Sequence, residues 1–414
     1  MWRKVTQLPD NAWLGLAFIL RAGFALKLGN GLYQADENGT DALAWLWSQT
    51  GSFEAHGSYL LVPPMHTGVL ALCYTLFGHH PLAGRLVGAV AGTALVWTVG
   101  RFVKELTRSE TSGKIALILA TIYPFFIYYS AMLMTETLYT LAATAGLWWL
   151  CVSLMDKAAP LWKTAAAGLA LGLMGLCRGE GTAISGIILA CAILSAVLRG
   201  RSWRAWSCAL LLWTLPLLGW AYRNKTVTGH WCLDAHGGMA MVHGTILFDL
   251  NEADSASAMD AVHGMKFWRD AQSLSDYERD RAFMAASLKY MRDNPGTILA
   301  QWAIKTVNFW RFYPRLDQNY SHVPGNNPGA GFGRRMMVLV SLLFEPALII
   351  GGFWGLWSLR ARWRETFPLA LFVLGTMAVH VLILAQMRYR FPVMPVLMLG
   401  FCALFKASER SQKR

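Results

Sequence analysis

The chain has 414 residues, 55% of them hydrophobic, 13% aromatic and only 15% charged, with a formal net charge of +13. That balance excludes an ordinary soluble domain or a disordered chain and reads as an all-α, polytopic membrane protein. Its cysteines (Cys73, Cys151, Cys177, Cys191, Cys208, Cys232 and Cys402) have no metal-type spacing and mostly sit in apolar runs, so neither a disulfide framework nor a zinc site organises the fold.

The chain opens with MWRKVTQLPDNAWLGLAFILRAG, a charged start and apolar middle without a clear small-residue cleavage site, which predicts a retained first helix. A helix needs about 19 apolar residues to cross the hydrocarbon. Segments near 11–28, 82–103, 115–130, 132–154, 163–178, 182–198, 205–222, 336–358, 366–385 and 391–405 approach that, giving ten candidate spans. Several are short, which is tolerable where their ends border a protein-lined or watery cavity. Residues 223–335 are more polar, with amphipathic spacing and the loop-forming HVPGNNPGAGFG. Within them 297–312 is aromatic-rich, carries Lys305, and reads as lying in the interface. If it and 65–78 both crossed, the count would be twelve. The chain therefore divides into a membrane core at 1–222 with a first outer loop at 29–65, an outer or interfacial segment at 223–335, and C-terminal spans with a basic tail at 336–414.

Orientation follows from the basic residues of short loops. With ten alternating spans, Arg3 and Lys4, the run Arg101 to Lys114, Lys157 and Lys163, Arg199 to Arg204, Arg360 to Arg364 and the tail from Lys406 share one side, against Arg178, Arg388 and Arg390 on the other. Both termini are thus expected in the cytoplasm. The basic charge is accounted for by topology, and no nucleic-acid partner is implied.

On the other face, Asp36, Glu37, Asp41 and Glu54 crowd the first loop, in YQADENGTDALAWLW and just beyond, and Glu136 opens the fourth span. Arg85, Arg178, Glu180, Arg223, Arg388 and Arg390 reach the same side from separated places. Each alone is an ordinary interfacial charge; together they suggest a site. Sugar transfer from a polyprenyl phosphate fits this inventory: a carboxylate takes the acceptor proton, arginines hold the departing phosphate, and a phosphate needs no general acid to leave.

Six stretches carry a family resemblance: ADENGTDALAWLWSQTGSF, VPPMHTGVLALCYTLFG with LAGRLVGAVAG, YPFFIYYSAMLMTETLY, LMGLCRGEG, WAYRNKTVTGHW and QMRYRFPVMPVL. In this order they resemble bacterial members of the GT-C superfamily of lipid-carrier-dependent glycosyltransferases, of the protein mannosyltransferase and aminoarabinose transferase type. The resemblance implies an extracytoplasmic active site in the bacterial inner membrane, a polyprenyl-phosphate-linked sugar as donor, and a glycan, lipid or protein as acceptor. It implies Asp36 as catalytic base, with Glu37 as neighbour or substitute, and Glu136 as a second acid that orients the sugar. A divalent metal held by Asp36 and Glu136 is left open. Arg178, Arg388 and Arg390 are the phosphate candidates, ahead of Arg85 and Arg223. Arg388 and Arg390 flank Tyr389, so on a helix only one need face the site. His236 and His243 read as polar loop groups. The acid is expected to stand apart from cations, since a tight ion pair makes a poor proton acceptor. The alternative is a transporter or flippase of lipid-linked sugars, though no internal repeat of the kind transporters show is seen. A non-catalytic scaffold would leave the acidic loop unexplained.

Overall fold

The computed structural model describes residues 8–54, 62–156, 159–201, 203–250, 260–313 and 332–411, and within these every regular element is a helix. The first is α1 (Asp10–Leu28), followed by two shorter helices, α2 (Ala35–Thr50) and α3 (Pro64–Phe77), and then the long α4 (Pro81–Thr107). Next come α5 (Glu110–Ile122), α6 (Pro124–Ala131), α7 (Glu136–Met155), α8 (Leu161–Cys177), α9 (Gly179–Leu198) and α10 (Trp203–Thr228). Between residues 237 and 310 lie α11 (Gly237–Gly244), α12 (Ile246–Leu250), α13 (Lys266–Ala271), α14 (Asp276–Asp293) and α15 (Pro295–Trp310). The chain ends with α16 (Phe332–Ser358), α17 (Trp363–Leu382), a 3-10 segment Met387–Val393 and α18 (Met394–Ser411).

Among the described residues eight helices are long and apolar enough to cross a membrane, and α5 with α6 forms a ninth candidate bent by 53°. The span expected at 163–178 corresponds to α8, apolar but only 17 residues long. The segments at 65–78 and 297–312 fold as α3 and α15, and neither is among the candidate spans. Residues 322–331 of the loop HVPGNNPGAGFG lie outside the described residues, and its last two residues begin α16.

Two features bring the short helices together. On α4, Gly84, Gly88 and Gly92 form a stripe at four-residue spacing. A Cβ on Gly88 would sit 2.2 Å from the Ser130 carbonyl oxygen, and one on Gly92 would meet Ser130 and Arg21, so only glycine lets α6 lie this close. Gly168 and Gly172 of α8 repeat the device against α10, where a Cβ on Gly168 would be 2.0 Å from the Ala209 oxygen. The second feature is Pro124, which has no N–H and breaks the helix between α5 and α6. The break turns Tyr123, Phe125, Tyr128 and Tyr129 toward the 3-10 segment.

Candidate active site

Helix α2 starts with a capping box. Glu37 Oε2 accepts from the Tyr33 amide at 2.7 Å and the Gln34 amide at 3.1 Å, while the Gln34 side chain accepts from the third-residue amide. The other oxygen, Oε1, accepts from Arg85 Nη1 at 2.8 Å and from the Leu133 amide at 2.9 Å. Arg85 also donates to the carbonyls of Gly29, Gly31 and Ala131. Both side chains are fully buried. Glu37 thus has four donors on its two oxygens. Glu37, read as a substitute base, and Arg85, read as a phosphate candidate, are here committed to each other: together they lock the loop before α2 to α4 and to the turn after α6.

Asp36, one residue earlier, points the other way. Its side chain is 55% exposed, and Oδ2 accepts from Arg388 Nη1 at 2.6 Å. The expectation of an acid standing apart from cations is therefore not met, because the 3-10 segment carries Arg388 across to the first turn of α2. Arg388 also donates from Nη2 to the Tyr389 hydroxyl at 3.0 Å, and its Nε is buried without a partner.

Arg388 of this pair lines a cavity of about 130 Å³ whose walls are mostly aromatic and methionine side chains, among them Tyr123, Phe125, Tyr128, Tyr129, Met134 and Met394. Gln34, which donates to the Tyr128 hydroxyl at 3.1 Å, and Arg388 supply its polar end. Arg390 borders the same cavity but is spent elsewhere: it donates to the Phe309 and Arg311 carbonyls and, at 2.6 Å, to Glu345 Oε2, whose other oxygen accepts from the Tyr123 hydroxyl. The RYR run therefore sends Arg388 to Asp36, while Arg390, read as a phosphate candidate, is paired in the core with Glu345.

Arg178 lies at the junction of α8 and α9, against the faces of Tyr139 and Tyr389, with Nε 2.7 Å from Glu180 Oε1 and Nη1 3.8 Å from Glu136 Oε1. Glu136 is 2% exposed and its Oε2 has no hydrogen-bond partner. Tyr389 ties this group to the other, since the Arg388 guanidinium lies 4.9 Å from its ring centroid and that of Arg178 lies 5.1 Å away. His380 stacks on the same ring at 4.3 Å and stands 3.7 Å from Glu180. Arg223 is not in this group: it donates to the Phe53 carbonyl and packs on Trp220, fixing the end of the chain beyond α2. Among the described residues no three His, Cys, Asp or Glu side chains are placed to hold a metal ion, and Asp36 and Glu136 each face an arginine.

Glu345, Tyr389 and His380 were not singled out from the sequence. Glu345 had a usable signal, being a lone acid in the apolar run VLVSLLFEPALII. Tyr389 and His380 had none, because their importance lies in contacts between α17 and the segment after it.

Residues 62–220 match a family described as dolichyl-phosphate-mannose-protein mannosyltransferase. No curated protein sequence matches the chain. Among solved structures, the archaeal oligosaccharyltransferase AglB from Archaeoglobus fulgidus, in complex with an inhibitory peptide and a dolichol-phosphate, is similar over 97% of this chain, with a TM-score of 0.54 and 15% identity. This chain spans 52% of that protein's length. ArnT from Cupriavidus metallidurans bound to undecaprenyl phosphate aligns over 97% of this chain and 78% of its own, with a TM-score of 0.44 and 13% identity. Residues 62–220 are thus similar to the dolichyl-phosphate-mannose-protein mannosyltransferase family, and the fold of the chain is similar to that of AglB.

Proposed function

We propose that this protein transfers a sugar from a polyprenyl-phosphate carrier to an acceptor hydroxyl, in one inverting displacement with Asp36 as base. The observation that carries the reading is the Asp36–Arg388 pair, whose arginine lines an aromatic and methionine-rich cavity. Apolar walls suit an isoprenoid chain, and a guanidinium at the polar end suits its phosphate. AglB, the neighbour of similar fold, was solved with a dolichol-phosphate, which supports this choice of carrier.

In this reading the acceptor oxygen attacks the anomeric carbon, its proton passes to Asp36, and the bond to the phosphate oxygen breaks with the electron pair leaving on the phosphate. Arg388 holds that phosphate, and Arg178 adds positive charge from beyond the Tyr389 ring. The ion pair then has a role: while Arg388 holds Asp36, the carboxylate is a weak base, and arriving phosphate competes for the guanidinium and frees it. Glu136, buried with one unpartnered oxygen, orients a sugar hydroxyl.

The site faces the extracytoplasmic side of a bacterial inner membrane, with both termini in the cytoplasm; the distribution of loop arginines and lysines supports this. The acceptor is a glycan, a lipid or a protein. Purified protein incubated with a radiolabelled polyprenyl-phosphate sugar and envelope extract should move label to an acceptor, and should not do so after Asp36→Asn. Absence of transfer from any polyprenyl-phosphate sugar, with carrier binding intact, would overturn the proposal.

A further inference from the structure

A second hollow, of about 230 Å³, lies where the start of α1 meets the end of α4 and the beginning of α5. Its charged lining is Arg101, Lys104 and Lys114, with Asp10 and Glu110, and Trp97 forms part of its wall. Trp97, Arg101 and Lys104 share one face of α4 by their spacing of four and three. Arg85, which anchors the other end of α4 beside α2, precedes Arg101 by sixteen residues, or about 24 Å of helix. The hollow is therefore at the end of the bundle remote from Asp36.

The cations here are loosely held. Glu105 meets Arg101 through Oε1 at 3.5 Å and shares its charge with Lys163 Nζ at 3.4 Å and the Trp148 indole N–H at 3.3 Å on Oε2. Arg101 Nε is buried without a partner. Lys104 meets Glu110, and Lys114 meets Asp10 and the Leu8 carbonyl, but the two carboxylates are 80% and 63% exposed. Exposed pairs of this kind contribute little to stability, so a stronger anion displaces them at small cost. The hollow also flanks the first turn of α5, whose positive end favours an anion.

The surroundings indicate which anion. Val90 is 58% exposed and Trp97 43%, and being seven residues apart on α4 they lie on one stripe that leads to the hollow. A free phosphate has no use for such a stripe, whereas a phospholipid lays acyl chains on it while its phosphate meets the cations. We propose that this hollow binds the headgroup phosphate of an anionic phospholipid, clamping α1, α4 and α5 at the end away from the transfer site. The inference stands independently of the transferase reading.

The test uses the full chain in neutral detergent, titrated with phosphatidylglycerol or phosphatidylcholine in mixed micelles and followed by native mass spectrometry and thermal unfolding. Phosphatidylglycerol should be retained at least about fivefold more strongly than phosphatidylcholine. The double variant Arg101→Gln, Lys104→Gln should lower phosphatidylglycerol binding to the phosphatidylcholine level. The exposed Arg204→Gln, outside the hollow, should leave it unchanged. Equal phosphatidylglycerol binding by wild type and double variant would overturn the proposal. So would stabilisation by inorganic phosphate alone equal to that by the lipid, which would assign the hollow to the free ion. If the double variant misfolds, wild type with Lys114→Gln decides: lipid binding that falls about fivefold or more in that variant and weakens with added salt supports the site, and binding indifferent to both refutes it.

Discussion

Arg21 Nη2 donates at 3.0 Å to the carbonyl of Ala120, the oxygen that Pro124 leaves without its helical donor. Nη1 of the same side chain serves Thr121 at 3.3 Å and Ala17 at 3.0 Å. A fully buried arginine in α1 thus completes a helix broken in α5 and holds the bend that aims Tyr128 and Tyr129 at the cavity. Arg21→Met should leave two buried carbonyls unpaired and cost about 2–5 kcal/mol, read as a lower unfolding temperature in detergent, with Arg21→Lys recovering part of the loss. An unchanged melting temperature in Arg21→Met would show that the bend holds itself.

Asp36 and Glu37 are adjacent acids with separable fates. Glu37→Gln presents an N–H where donors already point and leaves Arg85 buried without its charge partner, a loss of about 3–5 kcal/mol. The protein should be recovered poorly, or unfold at lower temperature. Asp36→Asn keeps the fold and should lower turnover on the order of a hundredfold to ten-thousandfold. Size-exclusion profiles and transfer assays on expression-matched variants check both. Normal folding of Glu37→Gln would refute the locking role, and full activity of Asp36→Asn would refute the base.

Much of the helix framework was legible because a membrane span is written in a long apolar run, and a break such as Pro124 is visible in it. The site was legible only as a pool of charges. Nothing in ADEN tells that Glu37 closes a capping box while Asp36 stays exposed and meets Arg388, since that depends on helix phase, about 100° between neighbours, and on Arg85 arriving from α4. The same holds for RYR: Arg388 and Arg390 read alike, and the buried Glu345 from α16 decides which is withdrawn. Pairing of Asp36 with Arg388 was invisible because the residues lie 352 positions apart.

Tyr389 holds both arginines on its ring, so its substitutions should affect the donor more than the acceptor. Tyr389→Phe retains the ring and loses only the hydroxyl contact to Arg388, and donor KM should stay within about threefold of wild type. Tyr389→Leu removes the face that Arg178, Arg388 and His380 share, a loss of about 1–2 kcal/mol of cation–π contact, and donor KM should rise about tenfold. Steady-state assays with donor and acceptor varied in turn read the difference; a purely structural ring would change both KM values alike.

The last prediction concerns the polar segment beyond α10. The Asp234 carboxyl is raised above its ordinary value of 3.8, first by burial and then by the like charges of Asp280 and Glu180, although the His236 amide and ring pull the other way. Asp280 is also raised, mainly by burial, against a hydrogen bond from the Gly238 amide. An acid whose pKa rises on folding leaves the folded state holding more protons, so stability falls as pH climbs from the unfolded value through the folded one. The penalty is absent below about pH 3.8 and complete above the folded pKa. Asparagine keeps an oxygen for the His236 or Gly238 amide and carries no charge. Asp234→Asn and Asp280→Asn should therefore unfold at higher temperature than wild type at pH 7, by about one to a few degrees, and the advantage should shrink as the pH is lowered toward 4. Differential scanning fluorimetry across that range checks it. Variants less stable than wild type at pH 7 would mean that these carboxylates are wanted in their charged form.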